Sequence, residues 1–129
     1  MLVWEQPCPE LAGLIEQGHL DDYSVRNVCT EYLEPLLSRE IEVVVLGCTH
    51  FPFVQPLLEE LTSGRIQFID PAFETSELVR RRLEGKDLFN PQKTAGTVSL
   101  YFTKDIELGD TLSASFLDTS RRSIEHITL

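Results

Sequence analysis

The chain has 129 residues, 42% of them hydrophobic and 25% charged, and a formal charge of -10. That length and balance suit one folded domain with its own core and exclude disordered or fibrous material. The acidity argues against a nucleic-acid partner, which needs a basic face, and the longest clean apolar run, Val43-Val44-Val45-Leu46, is far too short to span a membrane.

The opening Met1-Leu2-Val3-Trp4-Glu5 lacks a basic region followed by an apolar block, so no export signal is read there. The three cysteines are therefore expected to be reduced thiols in a cytoplasm. Leu2 to Glu5 is a strand candidate ending at Pro7-Cys8-Pro9, and Glu10 to Gln17 a short helix stopped by Gly18. Asp21 or Asp22 can cap a longer helix running to about Arg39, with Val25, Val28, Cys29, Tyr32 and Leu36 at helical spacing. Pro35 is expected to bend that helix or split its last turn.

Glu42 to Leu46 reads as a central parallel strand buried on both faces. Gly47 to Phe51 is a turn, and Pro52 opens a helix to about Leu61, with Gly64 beyond it. Ile66 to Ile69 is a second buried strand ended by Asp70-Pro71, and Phe73 to Glu84 an amphipathic helix closed by Gly85. Its Arg80-Arg81-Arg82 cluster reads as a solvated face. After a polar connector from Leu88 to Thr97 come a strand at Val98 to Phe102, a helix near Thr111 to Leu117 and a strand at Ser123 to Thr128. Alternating strands and helices make this an α/β fold with parallel strands.

In such a sheet ligands collect beyond the C-terminal strand ends, where Cys48-Thr49-His50 falls. A helix start after that turn favours a thiolate and an anionic group. Thr49 adds a hydroxyl donor and His50 a titratable ring. The other polar residues read as structural. Cys29 belongs to the core, His19 to a solvent-facing loop, Asp70 to a turn, and His126 to one face of the last strand without an acid/base partner. Residues two apart on a tight turn seldom place an imidazole for in-line proton transfer to the sulfur, which weakens a Cys48-His50 nucleophile. A zinc site lacks a third ligand nearby.

Val45-Leu46-Gly47-Cys48-Thr49-His50-Phe51-Pro52 resembles the signature around the second catalytic cysteine of the glutamate racemases, with Phe51 where tyrosine is usual. Cys8-Pro9-Glu10-Leu11 through Glu16-Gln17-Gly18 resembles an upstream segment of that family, with Ala12-Gly13 where valine-proline is common. Ile69-Asp70-Pro71 and the tail from Ile124 to Leu129 also look like family segments. Aspartate and hydantoin racemases share parts of the pattern and stay open as alternatives.

The resemblance implies a parallel-sheet, three-layer lobe of a two-lobe racemase fold. Residues 1–72 would be part of the second lobe, and 73–129 would return to complete the first. It implies interconversion of L- and D-glutamate by two thiols, without cofactor or metal, supplying D-glutamate for peptidoglycan and so for cell-wall biogenesis and cell shape. Glutamate is the expected partner, with neither nucleic acid nor membrane. Cys48 would be one catalytic thiol, His50 would stabilise or protonate its thiolate, and Glu16 would orient His50. Thr49 and His50 would hold a substrate carboxylate.

The family's first cysteine lies in a cysteine-asparagine-threonine turn, and an aspartate-serine-glycine turn also contacts substrate; neither string occurs here. Cys8, before a proline in a loop, is a poor replacement. The chain is therefore expected to begin in mid-protein, lacking the N-terminal half, and to be inactive alone. It would expose apolar surface through which copies associate. A non-catalytic remnant or self-associating binding module is the alternative from a different class.

Overall fold

The computed structural model describes residues 2–114 and 117–128. The chain divides into two units, Met1–Leu88 and Phe89–Leu129, at the start of the polar connector.

The first unit opens with α1 (Leu11–Glu16) and α2 (Tyr23–Leu37). Leu11 and Ile15, one turn apart, are buried. Asp22 caps α2 by accepting the Val25 N–H at 3.0 Å, and the Ser24 hydroxyl donates to the same oxygen at 2.6 Å. These bonds, Ser24's first, hold the Asp22 carboxyl down at about 2. Val25, Cys29, Leu33 and Leu36 form the buried stripe of α2. Fully burying an aliphatic side chain contributes about 1.5–3 kcal/mol, so this stripe dominates the attachment of α2. Pro35 does not split the helix, which runs on to Leu37. It sits in the last turn, where one missing N–H and one ring clash disturb little that follows.

Leu2 to Glu5 form no strand. The paired strands among the described residues are β1 (Val43–Val45) with β2 (Gln67–Ile69), and β3 (Val98–Phe102) with β4 (Arg122–His126). A strand needs a neighbour for its backbone groups, and the opening residues have none. Trp4 instead packs under the Arg39 guanidinium, 4.1 Å from the ring centre.

β1 and β2 are parallel, with Val43, Val44 and Val45 opposite Gln67, Phe68 and Ile69. Phe68 is buried and Val44 half-buried on the core side, but Val43 is 48% and Val45 60% exposed. The expectation of burial on both faces therefore fails: successive side chains alternate across the sheet, and only one of its faces meets the core.

The crossover between these strands begins as a 3-10 turn, Phe51–Val54, and becomes α3 at Gln55–Thr62. The α-helix does not start at Pro52 because Pro56 lacks the N–H that would bond to the Pro52 carbonyl. The Gln55 N–H takes that carbonyl instead, and Pro56 falls in the first turn of α3, where no donor is needed. Leu57, Leu58 and Thr62 of α3 are buried, and the Thr62 hydroxyl donates to the Leu58 carbonyl at 2.9 Å. Arg26 of α2 bridges to Glu60 of α3 by two bonds of 2.9 and 3.0 Å. The last helix of the unit, α4 (Pro71–Glu84), is capped by Asp70, whose carboxylate accepts the Ala72 N–H at 2.9 Å, and none of its residues is buried.

In the second unit β3 and β4 are parallel, from Val98 opposite Arg122 to Phe102 opposite His126. Their crossover helix α5 spans Ile106–Ala114, earlier than the expected 111–117, of which residues 115 and 116 lie outside the described set. Gly109, a weak helix former, sits within α5 because a Cβ there would lie 2.5 Å from the Phe102 ring. The Arg122 side chain, only 6% exposed, pins β4 to α5 through the Asp110 carboxylate and the Ser113 hydroxyl.

Candidate functional site

Beyond β1, Leu46 is buried and donates its N–H to the Ile69 carbonyl at 2.9 Å, which anchors the chain just before the turn. The Cys48 carbonyl then accepts the Phe51 N–H at 3.3 Å and the His50 carbonyl the Phe53 N–H at 3.0 Å. These two bonds coil the backbone directly into the 3-10 turn. Phe51 packs against the core, so its neighbours Cys48 and His50 are left half-buried and Thr49 exposed.

The Cys48 Sγ lies 3.6 Å from His50 Nδ1, within hydrogen-bond reach of a sulfur. The tight coil folds the ring back along the turn to reach the sulfur. On its far side, His50 Nε2 lies 2.9 Å from a carboxylate oxygen of Glu16, the last residue of α1. An ionised carboxylate only accepts, so Nε2 carries its proton toward Glu16. Nδ1 then accepts from the Cys48 thiol or, when the ring is charged, donates to its thiolate. Cys48, His50 and Glu16 form one hydrogen-bonded series able to exchange a proton at the sulfur.

Cys8 is half-buried in the loop before α1, with its thiol 3.5 Å from the Gln6 carbonyl. Burial pushes that thiol up, and the charge of nearby Cys48 pushes it further. Nothing in the sequence signals this neighbourhood, because the two residues are far apart in the chain. Cys29 is fully buried, and its thiol is pushed up to about 11, by burial first and then by Cys8. The remaining candidates stand elsewhere. His19 pairs with the Asp22 carboxylate. Asp70 caps α4. In the second unit, His126 Nε2 lies 3.2 Å from the Thr103 carbonyl. Among the described residues no three His, Cys, Asp or Glu side chains converge to hold a metal ion, and no helix is long and apolar enough to cross a membrane.

No family model matches the chain. The glutamate racemase of Clostridium perfringens is 37% identical over 95 residues, covering 74% of this chain and 36% of that protein. That of Levilactobacillus brevis is 29% identical over 127 residues, covering 98% of this chain and 46% of its own length. The chain is a homologue of the glutamate racemases. A glutamate racemase from Thermus thermophilus, solved with β-chloro-D-alanine, superposes with a TM-score of 0.78 at 30% identity over 95% of this homologue and 46% of its own chain. The racemase homologue thus spans less than half the length of the relatives it matches, as expected for a C-terminal portion, and it shares the α/β architecture of their solved structures.

Proposed function

We propose that this chain is the portion of a glutamate racemase that supplies one of two catalytic thiols. The reading rests on one observation: the Cys48, His50 and Glu16 series stands just past the end of a parallel strand, in a chain homologous to that family. Cys48 thiolate takes the α-proton of one glutamate enantiomer, breaking C–H and forming S–H, while the electron pair delocalises into the substrate carboxylate. A thiol on the opposite face, outside this chain, delivers a proton to the α-carbon, and the reverse direction exchanges the roles. His50 stabilises the Cys48 thiolate, Glu16 fixes the His50 ring, and Thr49 and His50 hold a substrate carboxylate. Residues 1–72 belong in this reading to one lobe, and 73–129 return to complete the other. The product is D-glutamate for peptidoglycan, made in the cytoplasm.

The test separates catalysis from completeness. The chain alone, followed by circular dichroism of L- and D-glutamate, is expected not to racemise, because one thiol cannot finish the exchange. A chimera in which it replaces the matching segment of the Thermus thermophilus enzyme is expected to racemise. Cys48→Ala should then lower kcat by a factor on the order of 1000 or more, and Glu16→Gln by about tenfold or more. His50 and Glu16 are 31% and 48% exposed, so Glu16→Gln changes stability by less than about 1 kcal/mol and leaves the fold intact. Turnover of the chimera unaffected by Cys48→Ala would refute the reading.

A further inference from the structure

α1 has only six residues, too few to hold its own shape in water, and Glu16 is the last of them. Leu11 and Ile15 anchor the helix to the core, but the end carrying Glu16 depends on how the following loop is tied down. Two backbone bonds close that end, from the Gly18 N–H to the Ile15 carbonyl and from the His19 N–H to the Leu14 carbonyl. Both stay within α1 and its turn, so neither sets a distance to His50.

Past the turn, Asp21 pairs with Arg26 Nη2 at 2.6 Å. The same guanidinium donates from Nη1 and Nη2 to the two Glu60 oxygens, at 2.9 and 3.0 Å. Arg26 therefore joins the loop after Glu16 to α3, which the 3-10 turn connects without a break to His50. The hydrogen bonds from Arg26, and then its charge, hold the Glu60 carboxyl below its ordinary range, so the link stays ionised through neutral pH.

Packing leaves the spacing open at this place. Between the loop and α3 lies a cavity of about 260 Å³, whose walls include Leu20, Phe53, Val54 and Leu57 along with Asp21 and Glu60. Interiors fix distances by close contact, and a cavity supplies none. Both carboxylates that Arg26 joins line it, so the ion bridge spans a gap that side chains leave unfilled. The Arg26 side chain is 34% exposed and its two partners more so, which makes the bridge a minor contributor to stability. A bidentate arginine still constrains geometry.

We propose that Arg26 is a positioning residue: by clamping Asp21 to Glu60 it keeps the Glu16 carboxylate within reach of His50 and so sets the reactivity of Cys48. This rests on the Cys48, His50 and Glu16 series described above and adds the residue that holds its two halves together. Glu16 fixes the His50 ring, the ring serves the sulfur, and Arg26 acts only through them.

The experiment measures two quantities on the 129-residue chain: the alkylation rate of Cys48 by iodoacetamide, resolved by mass, and the His50 ring tautomer, from its ¹⁵N shifts. Arg26→Gln should slow Cys48 alkylation about threefold or more, the scale of coupling through a side-chain network, with far-UV circular dichroism unchanged. The Nε2–H form of His50 should lose its predominance. Glu60→Gln should act in the same sense although it removes the opposite charge, whereas a through-space effect of charge on the sulfur would give the two variants opposite signs. Arg26→Lys, which keeps the charge without the two-pronged bond, should recover part of the rate. Glu16→Ala should slow alkylation at least as much, and in that background Arg26→Gln should add nothing.

An unchanged rate and tautomer in Arg26→Gln, opposite shifts in Arg26→Gln and Glu60→Gln, or a full Arg26 effect in the Glu16→Ala background overturns the proposal. Unchanged Cys48 and His50 in Glu16→Ala refutes the series itself, and the positioning by Arg26 falls with it. The racemase reading stands or falls with the chimera instead, since alkylation needs no turnover.

Discussion

Replacing Cys29 with alanine tests the core and its thiol together. Cys29 sits on α2 in the cluster with Val25 and Leu33, and burial raises its thiol from the ordinary 9.0 to about 11. The unfolded chain returns it to the ordinary value. Below pH 9 both states hold the proton and the native state is fully stable in this respect. As pH rises from 9 through 11 the unfolded chain releases a proton that the folded one keeps, so stability is lost. A gap of about two pH units is worth ~2.7 kcal/mol at 1.36 kcal/mol each, and solvation of the thiolate by penetrating water reduces this to about 1–2 kcal/mol. Cys29→Ala should cost about 1 kcal/mol at pH 8, as a small cavity, and should be free of the alkaline loss. The wild-type advantage is then expected to vanish or reverse by pH 11. Urea unfolding of both proteins, followed by far-UV circular dichroism from pH 8 to 11, measures the difference. Taking the difference cancels the other alkaline groups, including the raised hydroxyl of Tyr32. A stability difference constant across that range would refute the placement of Cys29 in a dry core.

Two further outcomes are expected. Cys48→Ala should speed alkylation of Cys8, because it withdraws the smaller of the two causes that raise the Cys8 thiol; mass-resolved labelling rates check this, and an unchanged rate would separate the two sulfurs. Gly109→Ala should destabilise the second unit by about 1–2 kcal/mol, because overpacking against the Phe102 ring at 2.5 Å exceeds the roughly 1 kcal/mol of helix propensity that alanine adds. Phe102→Leu should recover part of that loss, as read from amide-exchange protection of α5 and β4.

What the sequence by itself determined are features whose causes lie within a turn or two. The Asp22 cap, the α2 stripe through Val25, Cys29 and Leu36, the strand at Val43–Val45 and the turn carrying Cys48 follow from capping chemistry and side-chain period. The Glu16 contact to His50 was implied only by family resemblance, since local spacing says nothing about residues 34 apart. Tertiary structure alone decided the rest. Leu2 to Glu5 has strand-like residues but no partner edge, so no strand forms. The valines of β1 have the composition of a doubly buried strand, yet only the core packs on them, so Val43 and Val45 stay in water. Gly109 lies mid-helix because Phe102 needs the space. Cys8 feels the charge of Cys48 because the path of the chain returns it to that neighbourhood. In each case the deciding interaction joins residues distant in sequence, and the strength of a local propensity cannot report whether such a partner arrives.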